Sequence, residues 1–199
     1  MNKDDFVKNE IIENAAGLFQ KWGYNKTTVE DIAKASGKGK SSLYYYYKDK
    51  EEIFTEVVTR EASAVFAVIR ERLKGCRSAE EKLQVYIESY ISEIDKASNL
   101  YAILCNEMSG DMKLLMKLGN KFDAIQADYI GAILDEGLKR GEFSFPPDVD
   151  TKVAAYIIIN TIGTIQLDQL FKGNPDKYPV GSVMGRLFLN GIKSRKRGG

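Results

Sequence analysis

The chain has 199 residues, 44% of them hydrophobic and 29% charged, with 29 lysines and arginines against 28 acids. That is the balance of a water-soluble globular protein, long enough to bury a core without disulfide or metal staples. It contains no histidine, which removes the commonest general base and the commonest transition-metal ligand together. Cys76 and Cys105 form neither a metal-type spacing nor a disulfide framework, as suits a reducing cytoplasm. The opening Met1 to Asp5 carries acids and no apolar run, so no signal peptide is expected. Val153 to Ile159 is the most apolar stretch, and it is far short of the ~18 residues a membrane span needs. The reading is a cytoplasmic protein with no membrane partner, no metal and no cofactor.

Apolar residues recur with a 3.6-residue period and no run of strand alternation stands out, so an all-α fold of about nine helices is expected. Val7, Ile11, Ala15, Leu18 and Trp22 would share the inner face of a first helix, which Gly23 ends in the left-handed conformation. Thr28-Val29-Glu30-Asp31 reads as a capping box opening a short helix that turns Ile32 and Ala33 inward and stops at Gly37. Past Lys38-Gly39, a second short helix covers about 40–46. Asp49 then caps a long helix with Glu52 in its first turn and a stripe of Phe54, Val58, Ala62, Val65, Ile69 and Leu73, closing at Gly75. Further helices are expected over 80–97, 100–108, 111–139, 149–171 and 180–193. They are separated by Ser98-Asn99, Ser109-Gly110, Gly141 with Pro146-Pro147, and Gly173-Asn174-Pro175 with Pro179. The basic end, 193–199, reads as a solvated tail. Two domains follow: a three-helix unit over 1–50 and a larger helical unit over 51–199.

Charge is unevenly spread. Lys21 to Lys50 holds seven lysines against Glu30, Asp31 and Asp49, a local excess of four on a chain that is otherwise slightly acidic. Two short helices joined by a tight glycine turn are the minimal helix-turn-helix, whose second helix enters the major groove by its N-terminal half. Side chains there must be small or polar enough to approach base edges. Lys40, Ser41 and Ser42 meet that need, and Gly39 lets the backbone come close. Leu43 and Tyr47, four apart, can hold the helix from its inner face. Tyr44, Tyr45 and Tyr46 lie on the other faces, where a hydroxyl can donate to phosphate and a ring can touch a thymine methyl. Any one of these features is more often plain packing or a solvated face; their order and spacing together point to DNA.

Residues 11–54 resemble the N-terminal domain of the TetR/AcrR (tetracycline-repressor-like) family. The likeness rests on Thr27-Thr28-Val29-Glu30-Asp31-Ile32-Ala33, the glycine turn, and Leu43-Tyr44-Tyr45-Tyr46-Tyr47-Lys48-Asp49-Lys50-Glu51. It implies phosphate contacts at Thr28 and Lys50. It also implies base or phosphate contacts at Lys40, Ser41, Ser42, Tyr44, Tyr45 and Tyr46. Two residues depart from the family pattern. Lys38 stands where a buried valine-like residue is usual, and is expected to reach outward toward phosphate. Gly39 replaces the usual serine-like cap, which glycine can still serve.

The resemblance further implies a homodimer built on the last two helices, which are apolar on more than one face and must bury both. Ile158, Ile162, Ile165, Val183 and Leu187 are the candidate contacts, with Gly163 permitting close approach. It also implies a small-molecule pocket among the middle helices. The candidate lining is Tyr86, Tyr90, Tyr101, Met108, Met112, Met116, Phe122, Ile125 and Tyr129, an adaptable and mostly apolar wall. Glu107 and Asp128 could meet a cation, although solvent exposure is the default for both. The expected function is a ligand-responsive regulator, a repressor, that binds a palindromic operator in double-stranded DNA and is released by a hydrophobic or amphipathic effector. Its switch would pass through the long helix from residue 49. The alternative is a helical protein-interaction adaptor whose lysines serve only solubility. An enzyme is disfavoured, since no nucleophile motif, phosphate loop or paired-ligand spacing is present.

Overall fold

The computed structural model describes residues 3–96, 112–172 and 180–193. Over these it has eight helices: α1 (Lys3–Trp22), α2 (Val29–Ala35), α3 (Lys40–Tyr46), α4 (Lys50–Leu73), α5 (Ala79–Lys96), α6 (Met112–Lys139), α7 (Thr151–Lys172) and α8 (Val180–Ile192). Among the described residues the only extended pairing is a single bridge between Phe143 and Lys193. The helix expected over 100–108 lies outside the described residues, as do Cys105 and the basic tail from 194 on. No described helix is long and apolar enough to cross a membrane.

The chain divides into two compact units. One holds α1 to α3, α4 as far as Ala64 and the start of α6 through Leu118; the other holds α4 from Val65, most of α5, α6 from Gly119, α7 and α8. The division falls within α4, whereas the boundary read from sequence, after residue 50, falls at its start.

In the first unit, α1 contributes Ile11, Ile12, Ala15 and Phe19 to the core, α2 contributes Ile32 and Ala33, and α4 contributes Ile53, Phe54, Val57 and Val58. Phe19 meets Phe54 edge-on with ring centroids 5.0 Å apart, and Tyr24 lies against Phe54 at 4.7 Å. Trp22 departs from the expected stripe. It is 40% exposed, with the Lys21 ammonium 5.5 Å from its ring centre, and Phe19 fills the inner position instead. Trp22 is the last residue of α1, and the buried row runs 11, 15, 19 with 12 beside it.

In the second unit the core is built from Val65, Phe66 and Ile69 of α4, Leu83, Tyr86 and Ile87 of α5, Ile130, Ile133 and Leu134 of α6, and Ala155, Ile158, Ile159 and Ile162 of α7. Gly137 lies flush against the buried Phe143 ring, leaving no room for a side chain. Asp150 caps α7 by accepting from Val153 N at 2.8 Å, so the helix begins at Thr151 rather than at the expected 149.

Candidate DNA-binding site

The helix-turn-helix is assembled from local chemistry. Thr28 is the N-cap of α2: its Oγ1 accepts from Asp31 N at 3.1 Å, while Asp31 Oδ2 accepts from Thr28 N at 3.0 Å and from Thr28 Oγ1 at 2.6 Å. These hydrogen bonds hold the Asp31 carboxyl below its usual range. α2 ends at Ser36, and Gly37 takes φ 62°, a left-handed turn that a side chain would strain. Gly39 is the N-cap of α3 without any side-chain hydrogen bond, as its missing side chain requires. Leu43 and Tyr47 are both buried, so the inner face of α3 is fixed as its four-residue spacing predicted. Burial pushes the Tyr47 hydroxyl up to about 12, with Glu56 and Glu52 adding to it, and the ring stays neutral.

With that face locked, Lys40, Ser41, Ser42, Tyr44 and Tyr45 are left exposed on one short helix, Tyr45 at 76%. Tyr45 and Tyr46 meet edge-on at 5.0 Å, and the Tyr46 hydroxyl donates to Asp4 Oδ1 at 3.4 Å. The surface therefore presents small hydroxyls at the start of α3 and aromatic rings one turn later.

The lysines are less free than the sequence suggests. Lys38 does not stand outward: it is part-buried and its Nζ pairs with Glu10 Oε2 of α1 at 3.1 Å. Lys40 is paired with Glu30 of α2, and the carboxylate beside it holds its ammonium above the usual lysine range. Lys50 points its ammonium back into the chain, donating to Tyr24 O at 2.8 Å and Thr27 O at 2.9 Å, 4.2 Å from the Tyr24 ring centre. Glu10, Glu30 and Tyr24 were not singled out from the sequence. Glu10 and Lys38 are 28 positions apart, and no local pattern links them.

A family model described as "Bacterial regulatory proteins, tetR family" matches residues 11–57, and one described as "YsiA-like protein, C-terminal region" matches residues 59–183. The chain belongs to the tetR family of bacterial transcriptional regulators. As a TetR-family chain it is similar over most of its length to the HTH-type transcriptional regulator QacR of Staphylococcus aureus, with 29% identity over 194 residues, 94% of this chain and 98% of that protein. It is 27% identical to the fatty acid metabolism regulator protein of Bacillus subtilis, over 94% of this chain and 95% of that one. Among solved structures, the regulator FadR of Bacillus subtilis in complex with stearoyl-CoA superposes with a TM-score of 0.67 at 25% identity, covering 92% of this chain and 95% of that one.

A cluster of aromatic side chains lies in the second unit. There the structure brings Tyr86, Tyr90 and Tyr129 together around Phe66, which the sequence did not flag. Phe66 stacks on Tyr129 at 5.8 Å, Tyr86 on Tyr90 at 6.1 Å, and Tyr86 lies 6.1 Å from Tyr129. Arg70 Nε donates to the Tyr129 hydroxyl at 3.1 Å. Tyr86 is wholly buried, and its hydroxyl finds no partner among the described residues. Phe122 and Ile125 are half-buried on α6 and Met116 is exposed. Tyr101, Met108 and the side chain of Met112 lie outside the described residues. Asp128 lines an open groove of about 770 Å³ between α6 and α7, together with Asp123, Asp135 and Tyr156.

On α7 and α8 the proposed contacts divide. Ile158 and Ile162 are buried in the protomer's own core, whereas Val183 and Leu187 of α8 are exposed, Leu187 at 68%. The outward apolar positions of α7 are Val153, Tyr156 and Ile157. Gly163 has open space before it within the protomer, and the side chain of Ile165 lies outside the described residues.

Proposed function

We propose that this TetR-family protein is a ligand-responsive repressor that binds a palindromic operator as a homodimer in the cytoplasm and leaves it when a small hydrophobic or amphipathic effector binds. The observation that carries the DNA-binding part is the division of α3. Leu43 and Tyr47 anchor one face, and Lys40, Ser41, Ser42, Tyr44 and Tyr45 stand exposed on the other. Small hydroxyls reach base edges, tyrosine hydroxyls donate to phosphate, and rings meet thymine methyls. Thr28, at the start of α2, is exposed where a phosphate would approach a helix N-terminus.

Dimerisation would cover the outward apolar positions of α7 and α8, Val153, Tyr156, Ile157, Val183 and Leu187, with Gly163 allowing close approach. A two-fold dimer sets two recognition helices one helical turn apart, about 34–36 Å. For the effector, the aromatic cluster of Phe66, Tyr86, Tyr90 and Tyr129 supports an apolar body. The similar regulator solved with stearoyl-CoA makes a long-chain acyl-CoA the first molecule to test. α4 is one continuous helix from α3 into the second unit, and is the element on which an effector and an operator would compete. The protein acts by binding rather than by catalysis.

Selection of a site from a random duplex library, followed by titration of that duplex against salt, tests the reading. A palindromic site and a log–log slope of about −0.9 per phosphate neutralised are expected. No enriched site together with flat salt dependence would overturn it and favour the adaptor.

A further inference from the structure

We propose that Glu30 is a specificity-determining positioning residue: by pairing with Lys40 it aims the first side chain of α3 at one base edge and keeps that ammonium from settling on the nearest phosphate. The inference rests on the DNA-binding reading above. A lysine ammonium is a compact charge with three donors on a flexible four-carbon stem. Unheld at a DNA surface, it takes a phosphate, and phosphates are the same on every sequence.

Within α3, Lys40 has Tyr44, one turn on, as an electrostatic neighbour. The N-cap before it is Gly39, which has no side chain and open space around it. The restraint comes from α2, where Glu30 pairs with Lys40 Nζ. Glu30 is itself well placed to do this, because it lies in the first turn of a helix whose start is fixed on both sides by the Thr28–Asp31 capping box. Lys40 is also the first residue of α3, at the positive end of the helix dipole, where a cation is disfavoured. The Glu30 carboxylate offsets that repulsion, consistent with the raised Lys40 ammonium beside it. With one N–H given to Glu30, two donors remain, enough for O6 and N7 of a guanine. Lys38 is held by Glu10 in a different setting, part-buried between α1 and the turn.

Both partners of the Lys40 pair are largely exposed, and exposed pairs contribute little to stability. Glu30 can therefore be changed without unfolding the chain. The experiment uses the full chain, its selected operator, every single-base variant of one half-site and a scrambled duplex, with Glu30→Gln, Lys40→Ala and the double variant. Glu30→Gln should lose about tenfold discrimination at the same base pair where Lys40→Ala loses it. It should also bind the scrambled duplex more tightly, with a salt slope steeper by about 0.9 as the released ammonium takes a phosphate. The double variant should match Lys40→Ala alone. Glu30→Asp, which keeps the charge but shortens its reach, should fall between wild type and Glu30→Gln, and covers the case in which the glutamine variant melts early. Wild-type discrimination in Glu30→Gln, or losses at positions that Lys40→Ala leaves untouched, would overturn the proposal. A wild-type chain that selects no site at all would instead overturn the DNA-binding reading beneath it.

Discussion

Replacing Lys50 by methionine separates two roles for one ammonium. The family resemblance assigns Lys50 to a DNA phosphate, whereas here its Nζ lies 2.8 and 2.9 Å from the Tyr24 and Thr27 carbonyls and 4.2 Å from the Tyr24 ring centre. Methionine keeps the apolar stem and removes only the charge. Loss of two charge-assisted hydrogen bonds, partly offset as the half-buried carbonyls rehydrate, costs about 2 kcal/mol. Loss of the cation–π contact adds about 0.5–1 kcal/mol. The first unit should therefore lose about 2.5–3 kcal/mol, with the segment between α1 and α2 loosened. Trp22 is the only tryptophan in the chain and ends α1, so its fluorescence reports on that unit. With a urea dependence of about 1–3 kcal/mol per molar, the midpoint should fall by about 1 M. In parallel, the salt dependence of operator binding should keep its wild-type slope. A midpoint that does not move, together with a slope shallower by about 0.9, would show that Lys50 is a phosphate ligand and that its carbonyl contacts are incidental.

Thr28→Ala removes the acceptor for Asp31 N and should cost about 1 kcal/mol at neutral pH, measured by urea unfolding. Asp31 has its folded pKa lowered chiefly by Thr28, so its contribution is present above the unfolded value of about 3.9 and disappears as pH falls through the lower folded one. The gap between wild type and Thr28→Ala should narrow in acid; a gap of constant size from pH 7 to pH 3 would contradict the capping account. Gly137→Ala should destabilise the second unit by about 1–3 kcal/mol, because a methyl there would overlap the buried Phe143 ring. Helix propensity alone predicts a gain of about 1 kcal/mol, so the sign of the change in thermal midpoint decides between them. Leu187→Asp, at an exposed apolar position of α8, should give a folded monomer by analytical ultracentrifugation and a weakened affinity for a palindromic site. A dimer undiminished in this variant would place the interface elsewhere.

What could be read from the sequence was the part that short-range chemistry controls. The Thr28–Asp31 box, the left-handed turn at Gly23, the stop of the short helix by Gly37, and the Leu43–Tyr47 pair each rest on residues within four positions of one another, and each was found where expected. The boundaries of α5 to α8 agree with expectation to within two residues, because proline, glycine and capping acids act locally. Periodicity also marked α7 as apolar on two sides, and both Ile158 inside and Ile157 outside are present. It could not say which side was which, since a helix apolar all round carries no phase. Only tertiary packing decided the partners of the long charged side chains: Glu10 for Lys38, Glu30 for Lys40, and the Tyr24 and Thr27 carbonyls for Lys50. These contacts join residues 10 to 28 positions apart on different helices and loops. A sequence fixes what such a side chain can bind, but the docking of one helix on another fixes what lies within reach.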